Sequence, residues 1–278
     1  MIAVWSPVHG FPPIFHRALE HIAEHVPGPF VHLIGDDFTP DDFTPDDAEA
    51  DALCDLDGTP VLNSRGETVG ERRVYHCRDL GATEAPNLGL SMQYAWSSAL
   101  AMEAEALLVI ESDVLIHAGA VGAFREAQRV HGEKCGSVTC LFTEVGGNTV
   151  TSFGGMTTEH EFLGGIPLGV EIGSWDMSAP RYDTLWWSHH ANLWIPRSTL
   201  EREAIYPDAD FKLYYLDHEL SYQIRSADLD IIVTDRAVAE HSRNCSSTGL
   251  RWPDQAQRTM VERRAYQQLR KKWAGRMM

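Results

Sequence analysis

The sequence predicts an α/β protein: a mostly parallel central sheet flanked by helices, with a helical C-terminal tail. Three observations carry that reading. Short apolar runs bounded by turn residues alternate with segments whose apolar residues recur at helical spacing. Within about 35 residues the chain reads strand, helix, strand, a βαβ unit that favours parallel pairing. With 278 residues, 44% of them hydrophobic, it is long enough for one large domain or two small ones with a sizeable core.

Ile2–Trp5 is the first strand, stopped by Pro7. Ile14, Phe15, Ala18, Leu19, Ile22 and Val26 then mark a helix that starts near Pro13 and ends at Pro27-Gly28-Pro29. Val31–Ile34 is the second strand. After it, Asp36-Asp37-Phe38-Thr39-Pro40 repeats as Asp41-Asp42-Phe43-Thr44-Pro45, and Asp46-Asp47 begins a third copy. Five residues are too few for a solenoid repeat, so residues 36–57 read as a duplicated acidic loop. Val74–His76 is a strand, Gly89–Glu103 a helix and Leu107–Ile110 a strand closed by Glu111-Ser112-Asp113. A helix over Ala118–Val130 and a strand over Ser137–Phe142 follow. Thr143–Gly173 holds eight glycines with little periodicity, and so long an irregular stretch in a compact domain is usually functional. Ala191–Ile195 is a strand, Asp217–Ala227 a helix, and Ile231–Val233 and Ala237–Ala239 are two short strands.

The formal charge is −17, from 40 acidic and 23 basic side chains, which disfavours general nucleic-acid binding. The surplus is local. Ten acids and no Lys or Arg fall within 36–57, and without those ten the balance is −7. From Arg251 onward eight Lys or Arg face two acids. No apolar run approaches the ~20 residues needed to span a bilayer, and residues 1–11 carry no basic region before an apolar core. Five cysteines, without a CxxC pair, point to free thiols in a reducing compartment. A cytoplasmic location is expected.

Ligands of open parallel sheets bind beyond the carboxyl ends of strands. Acids stand at such ends here: Asp36 and Asp37 after the second strand, Glu111 and Asp113 after the fourth, with His241 after the last. An acid there can also cap the next helix. Alternate residues of a strand point the same way, so Glu111 and Asp113 are expected to share one side. Two carboxylates so placed repel unless a divalent ion or a pair of sugar hydroxyls lies between them.

Four segments, in order, resemble glycosyltransferases of the GT-A fold, a Rossmann-like architecture, and are most similar to the inverting family 2. They are Ile2–Pro7; Leu33-Ile34-Gly35-Asp36-Asp37; Asn87-Leu88-Gly89-Leu90-Ser91 with Leu107–Asp113; and Leu216–Arg225 followed by His241. Three positions depart from the family pattern. Glu-Ser-Asp replaces DxD, Leu216 stands where a glutamate usually precedes the catalytic aspartate, and Glu219 replaces a second aspartate. The likeness covers about residues 1–245 as one domain, with acceptor-side loops over 143–190 and a basic helical extension over 246–278.

What the resemblance implies is a metal-dependent, inverting transfer of a sugar from a nucleotide-diphosphate sugar to an acceptor hydroxyl. Asp113 and His241 would hold Mn²⁺ or Mg²⁺, with Glu111 near ribose or metal. Pro7 and Asp37 would contact the nucleotide, Arg243 would reach the diphosphate, and Asp217 would be the base. Trp187, His189, His190 and Glu219 would line the acceptor site. Asp217 and Glu219 lie about 200° apart on a helix, so only one can face the acceptor. The acceptor is open among glycan, lipid-linked sugar, protein and modified nucleic acid. No transmembrane segment is expected, and the basic tail is a candidate for peripheral membrane contact. Two other classes compete: a nucleotidyltransferase, against which Ser6–Gly10 offers no Gly-rich basic phosphate loop, and a non-catalytic sugar- or partner-binding module.

Overall fold

A computed structural model describes residues 1–8, 13–36, 53, 55–82, 87–152, 154, 169, 171–174, 177–242 and 255–274. The acidic repeat from Asp37 through residue 52 and the segment 243–254 lie outside that set. Asp37 and Arg243, both expected at the nucleotide, therefore lie outside the described residues.

The opening βαβ unit forms as the apolar pattern requires. Strand β1 (Ile2–Val8) and strand β2 (Phe30–Asp36) pair in parallel along seven residues, joined through helix α1 (Pro13–His25). All residues of β1 and β2 are buried, as in a sheet covered on both faces. Strand β3 (Pro60–Leu62) lies antiparallel to strand β4 (Thr68–His76), which runs parallel to β2. After helix α2 (Leu88–Ala101), strand β5 (Ala106–Ile110) returns beside β1 in parallel. Strand β6 (Val114–Ile116), helix α3 (Ala120–His131), strand β7 (Cys135–Thr143) and the short strands β8 (Val150–Ser152) and β9 (Tyr182–Leu185) follow. Strand β10 (Asn192–Pro196), a short helix α4 (Arg197–Leu200), helix α5 (Leu216–Ser226), strand β11 (Asp230–His241) and helix α6 (Gln255–Trp273) complete the order.

The sheet runs β3-β4-β2-β1-β5-β10-β7-β11-β6, with β8 on β7 and β9 on β11. Strands β4, β2, β1, β5, β7 and β11 share one direction. Strand β10 is inserted antiparallel between β5 and β7. The two short strands expected over 231–239 are one strand, β11, interrupted by a register shift between Val233 and Val238. Within the shift Asp235 is buried, and its carboxylate accepts the Arg181 backbone N–H at 2.9 Å. Polar residues at a bulge look like a strand end in sequence, but a side-chain acceptor replaces the missing ladder partner.

Alternation along the strands divides the core. Trp5, Leu33, Met92, Trp96, Val109, Leu220 and Ile224 pack on one face of the sheet, together with Leu269 and Trp273 of α6. Val4, Ile22, Leu108, Phe124 and Trp194 pack on the other, under α1 and α3. The basic extension is thus helical where described, and anchors two apolar residues in the main core.

Glycine is required at Gly89. A Cβ there would stand 2.5 Å from the backbone oxygen of Asp208, because the start of α2 is pressed against the 208–212 segment. Leu88 N–H also donates to Lys212 O at 2.8 Å. Backbone cannot retreat as a side chain can, so Gly89→Ala is expected to cost about 1–3 kcal/mol, read as a lower midpoint in denaturant unfolding at unchanged slope.

Candidate active site

The C-terminal ends of β1 and β5, the turn before β10, the start of α5 and the end of β11 converge on one cleft open to solvent. Its lining includes Trp5, Pro7, Glu111, His189, His190, Tyr215, Asp217 and His241. The sheet explains why residues so distant in sequence meet here. Val114 lies opposite His241 in the antiparallel ladder between β6 and β11, and Ser242 N–H donates to Asp113 O at 3.0 Å. That ladder brings Asp113 and His241 together, with 3.5 Å between Oδ1 and Nε2.

Glu111 completes the group: one ligand atom from each of Glu111, Asp113 and His241 lies within 4.8 Å of the others. The route to this closeness differs from the strand alternation expected above. Strand β5 ends at Ile110, and Glu111–Asp113 form a turn, closed by Val114 N–H donating to Glu111 O at 3.1 Å. The turn folds both carboxylates to the same side. Asp113 is buried, and its Oδ2 has no hydrogen-bond partner among the described residues. Burial, then the Asp113 charge, pushes the Glu111 carboxyl up to about 7, against the pull of His241. Two crowded carboxylates, an orphaned buried oxygen and one imidazole form a donor set that fits a hard divalent cation such as Mg²⁺ or Mn²⁺.

Across the cleft, Tyr215 precedes α5 in the left-handed region at φ 65°. Such a conformation costs a bulky side chain roughly 1–3 kcal/mol and is held by its surroundings. Next to it Asp217 receives His218 N–H and faces His218 Nδ1, both at 2.8 Å from Oδ1. Its Oδ2 lies 3.9 Å from His189 Nδ1. Burial raises the Asp217 carboxyl, but His218, followed by His190 and His189, outweighs it and holds the acid well below the ordinary aspartate range. His190 is itself buried and pushed down to about 4, so at neutral pH it is uncharged and His218 is the main partner. Trp187 stands behind this group, stacked on His218 at 4.2 Å and edge-on to His189 at 4.9 Å.

Glu219 is elsewhere. Its carboxylate is fully buried on the side of α5 away from the cleft, 2.6 Å from Lys272 Nζ of α6 and 2.7 Å from Gln223 Nε2. The 200° separation from Asp217 accounts for this. Tyr215 and His218 are site residues that sequence reasoning passed over. The only signal was their adjacency to Asp217, since neither backbone strain nor a local His–Asp bond has a sequence signature.

At the end of β2, Asp36 is buried and bound to His76 at the end of β4, with 2.6 Å between Oδ2 and Nδ1. Hydrogen bonding to Asp36 raises the His76 pKa above 6.5, against partial burial. The pair's contribution to stability is therefore complete below pH 6.5 and is lost as the pH rises through the raised value. An NMR titration should place the His76 midpoint above 6.5, and Asp36→Asn should bring it down.

No protein-family profile matches the sequence, and no curated protein does. Solved structures do match. The chain is similar to TarS 1–349 from S. aureus (13% identity, TM-score 0.52, 87% of this chain and 60% of that one). It is similar to the same fragment in complex with UDP-GlcNAc (15%, 0.53, 87% and 59%). It is also similar to GalNAc-T7 with UDP, GalNAc and Mn²⁺ (12%, 0.56, 87% and 43%). The chain spans about 60% of the TarS fragment and less than half of GalNAc-T7. At these identities the likeness establishes architecture alone: the protein has the GT-A fold.

Proposed function

We propose that the protein is a divalent-metal-dependent glycosyltransferase that moves a sugar from a nucleoside-diphosphate sugar to an acceptor hydroxyl with inversion. The observation that carries the reading is the Glu111–Asp113–His241 group, of which Glu111 and His241 line the cleft together with Asp217. A cation bound there would neutralise the diphosphate as it leaves. Asp113 and His241 would hold that cation, and Glu111 would reach metal or ribose. Pro7 closes the nucleotide end, where Asp37 would read the base and Arg243 would meet the diphosphate.

Asp217 takes the acceptor proton as the acceptor oxygen attacks the anomeric carbon from the face opposite the leaving diphosphate. His218 keeps the carboxylate ionised and fixes which oxygen faces the cleft. His189 and His190 border the acceptor, backed by the Trp187 ring. A cytoplasmic enzyme is consistent with the thiols: Cys135 and Cys140 are buried and form no disulfide among the described residues. No helix among the described residues is long and apolar enough to cross a membrane.

The reading is tested by thermal unfolding with a panel of nucleoside-diphosphate sugars, each with and without Mn²⁺. At least one donor should raise the midpoint only when the ion is present. A panel with no metal-dependent shift would remove the donor site.

A further inference from the structure

Helix α6 is the most basic element of an acidic protein, with Arg258, Arg263, Arg264, Arg270, Lys271 and Lys272 against Glu262. A basic tail on such a protein usually packs against the protein's own acids. Among the described residues only Lys272 does so, bridging Asp208 and Glu219 at 2.6 Å each. Leu269 and Trp273 face the core beside it. Arg264 and Lys271 lie on the opposite side and Arg263 and Arg270 on the flank toward Tyr266; all four are exposed, and none makes an ion pair among the described residues. They form two rows, Arg263 with Arg270 and Arg264 with Lys271, each spaced seven residues or about 10 Å. The cationic face leads to the cleft. The Arg270 guanidinium lies 5.9 Å from the Tyr266 ring, Tyr266 lies 5.6 Å from Tyr215, and Tyr215 lines the cleft.

We propose that this face of α6 is the landing surface for a phosphate-bearing polymeric acceptor, a segment of which enters the cleft past Tyr215. The proposal rests on the glycosyltransferase reading for what happens in the cleft, but not for the surface itself. Four cations that make no ion pair among the described residues, gathered on one helix of a chain of −17, attract a polyanion locally, and phosphate contacts supply sequence-independent affinity. A lipid surface fits less well. An interfacial helix needs its apolar side free to insert, and α6 has turned Leu269 and Trp273 inward, leaving Met260 and Tyr266 as its large exposed apolar side chains.

The test uses the full chain and inorganic polyphosphate as probe. Wild-type protein should bind it with an affinity that falls with salt at a log–log slope of about −3, as four contacts imply. The R263E/R264E/R270E/K271E variant should lose at least tenfold in affinity and most of the salt slope, and the corresponding Gln variant should fall between. Circular dichroism of both variants should match wild type, since the four side chains touch nothing in the core. Absence of polyphosphate binding, binding unchanged in the variants, or charge-dependent binding to phosphatidylserine vesicles without binding to polyphosphate would each overturn the proposal. Mn²⁺-dependent binding of UDP to the same samples reports on the donor reading separately. Its loss with polyphosphate binding intact would sink that reading and leave the surface standing.

Discussion

Asp217→Asn is expected to keep donor affinity within about twofold and to lose 10²–10⁴-fold in the rate of transfer, the usual worth of a positioned base. The substitution is nearly isosteric, and Asn can still accept the His218 N–H that Asp217 Oδ1 accepts at 2.8 Å. What it lacks is the anionic oxygen. In the wild type the acid is held ionised by its histidines, against the burial that would protonate it. A carboxylate this acidic is a weak base, so it accepts the proton late, when the acceptor oxygen is already bonding to carbon. Transfer near the wild-type rate in Asp217→Asn would assign the proton to another group, with His189 the nearest in the cleft.

The second large effect has two parts of opposite benefit. Asp113→Asn should lower Mn²⁺ affinity by about a hundredfold or more, since even the outer partners of metal ligands cost 10–100-fold. The same change should make the metal-free protein more stable by about 1 kcal/mol. Without a cation, Asp113 and Glu111 repel across a buried turn, and Asp113 Oδ2 has no hydrogen-bond partner among the described residues. Asparagine removes the repulsion at the same volume. Stability spent on binding geometry is recovered when the function is removed. Calorimetry with Mn²⁺ and denaturant unfolding with a chelator read the two parts. An unchanged metal affinity would contradict the ligand assignment. Lower stability would mean that Asp113 is held by contacts rather than strained.

Much of this molecule is legible in the chain because its strands are buried on both faces. Ile2–Val8 and Phe30–Asp36 have no polar alternation to confuse with a helix, and Pro27-Gly28-Pro29 closes α1 sharply. The acids at strand ends are visible for the same reason, as the first polar residues after an apolar run. Legibility ends where pairing is non-local. Nothing in Val114–Ile116 tells that it will ladder with Ala239–His241, yet that ladder builds the candidate metal group. Strand β10 is as apolar as its neighbours and gives no sign that it runs against them. Glu219 reads as part of the site because it stands where the family pattern has a second aspartate, and only the arrival of Lys272 from α6 shows why an acid is kept in the core. An unpaired carboxylate there would be costly to bury.

A divalent cation held by Asp113 and His241 would make the cleft a nucleotide-sugar site. The most direct test is calorimetric titration of UDP into wild-type protein, once with Mn²⁺ and once with a chelator in its place. One binding site is expected with the ion and none at the same concentrations without it. Equal affinity in both titrations would contradict that role for the cation.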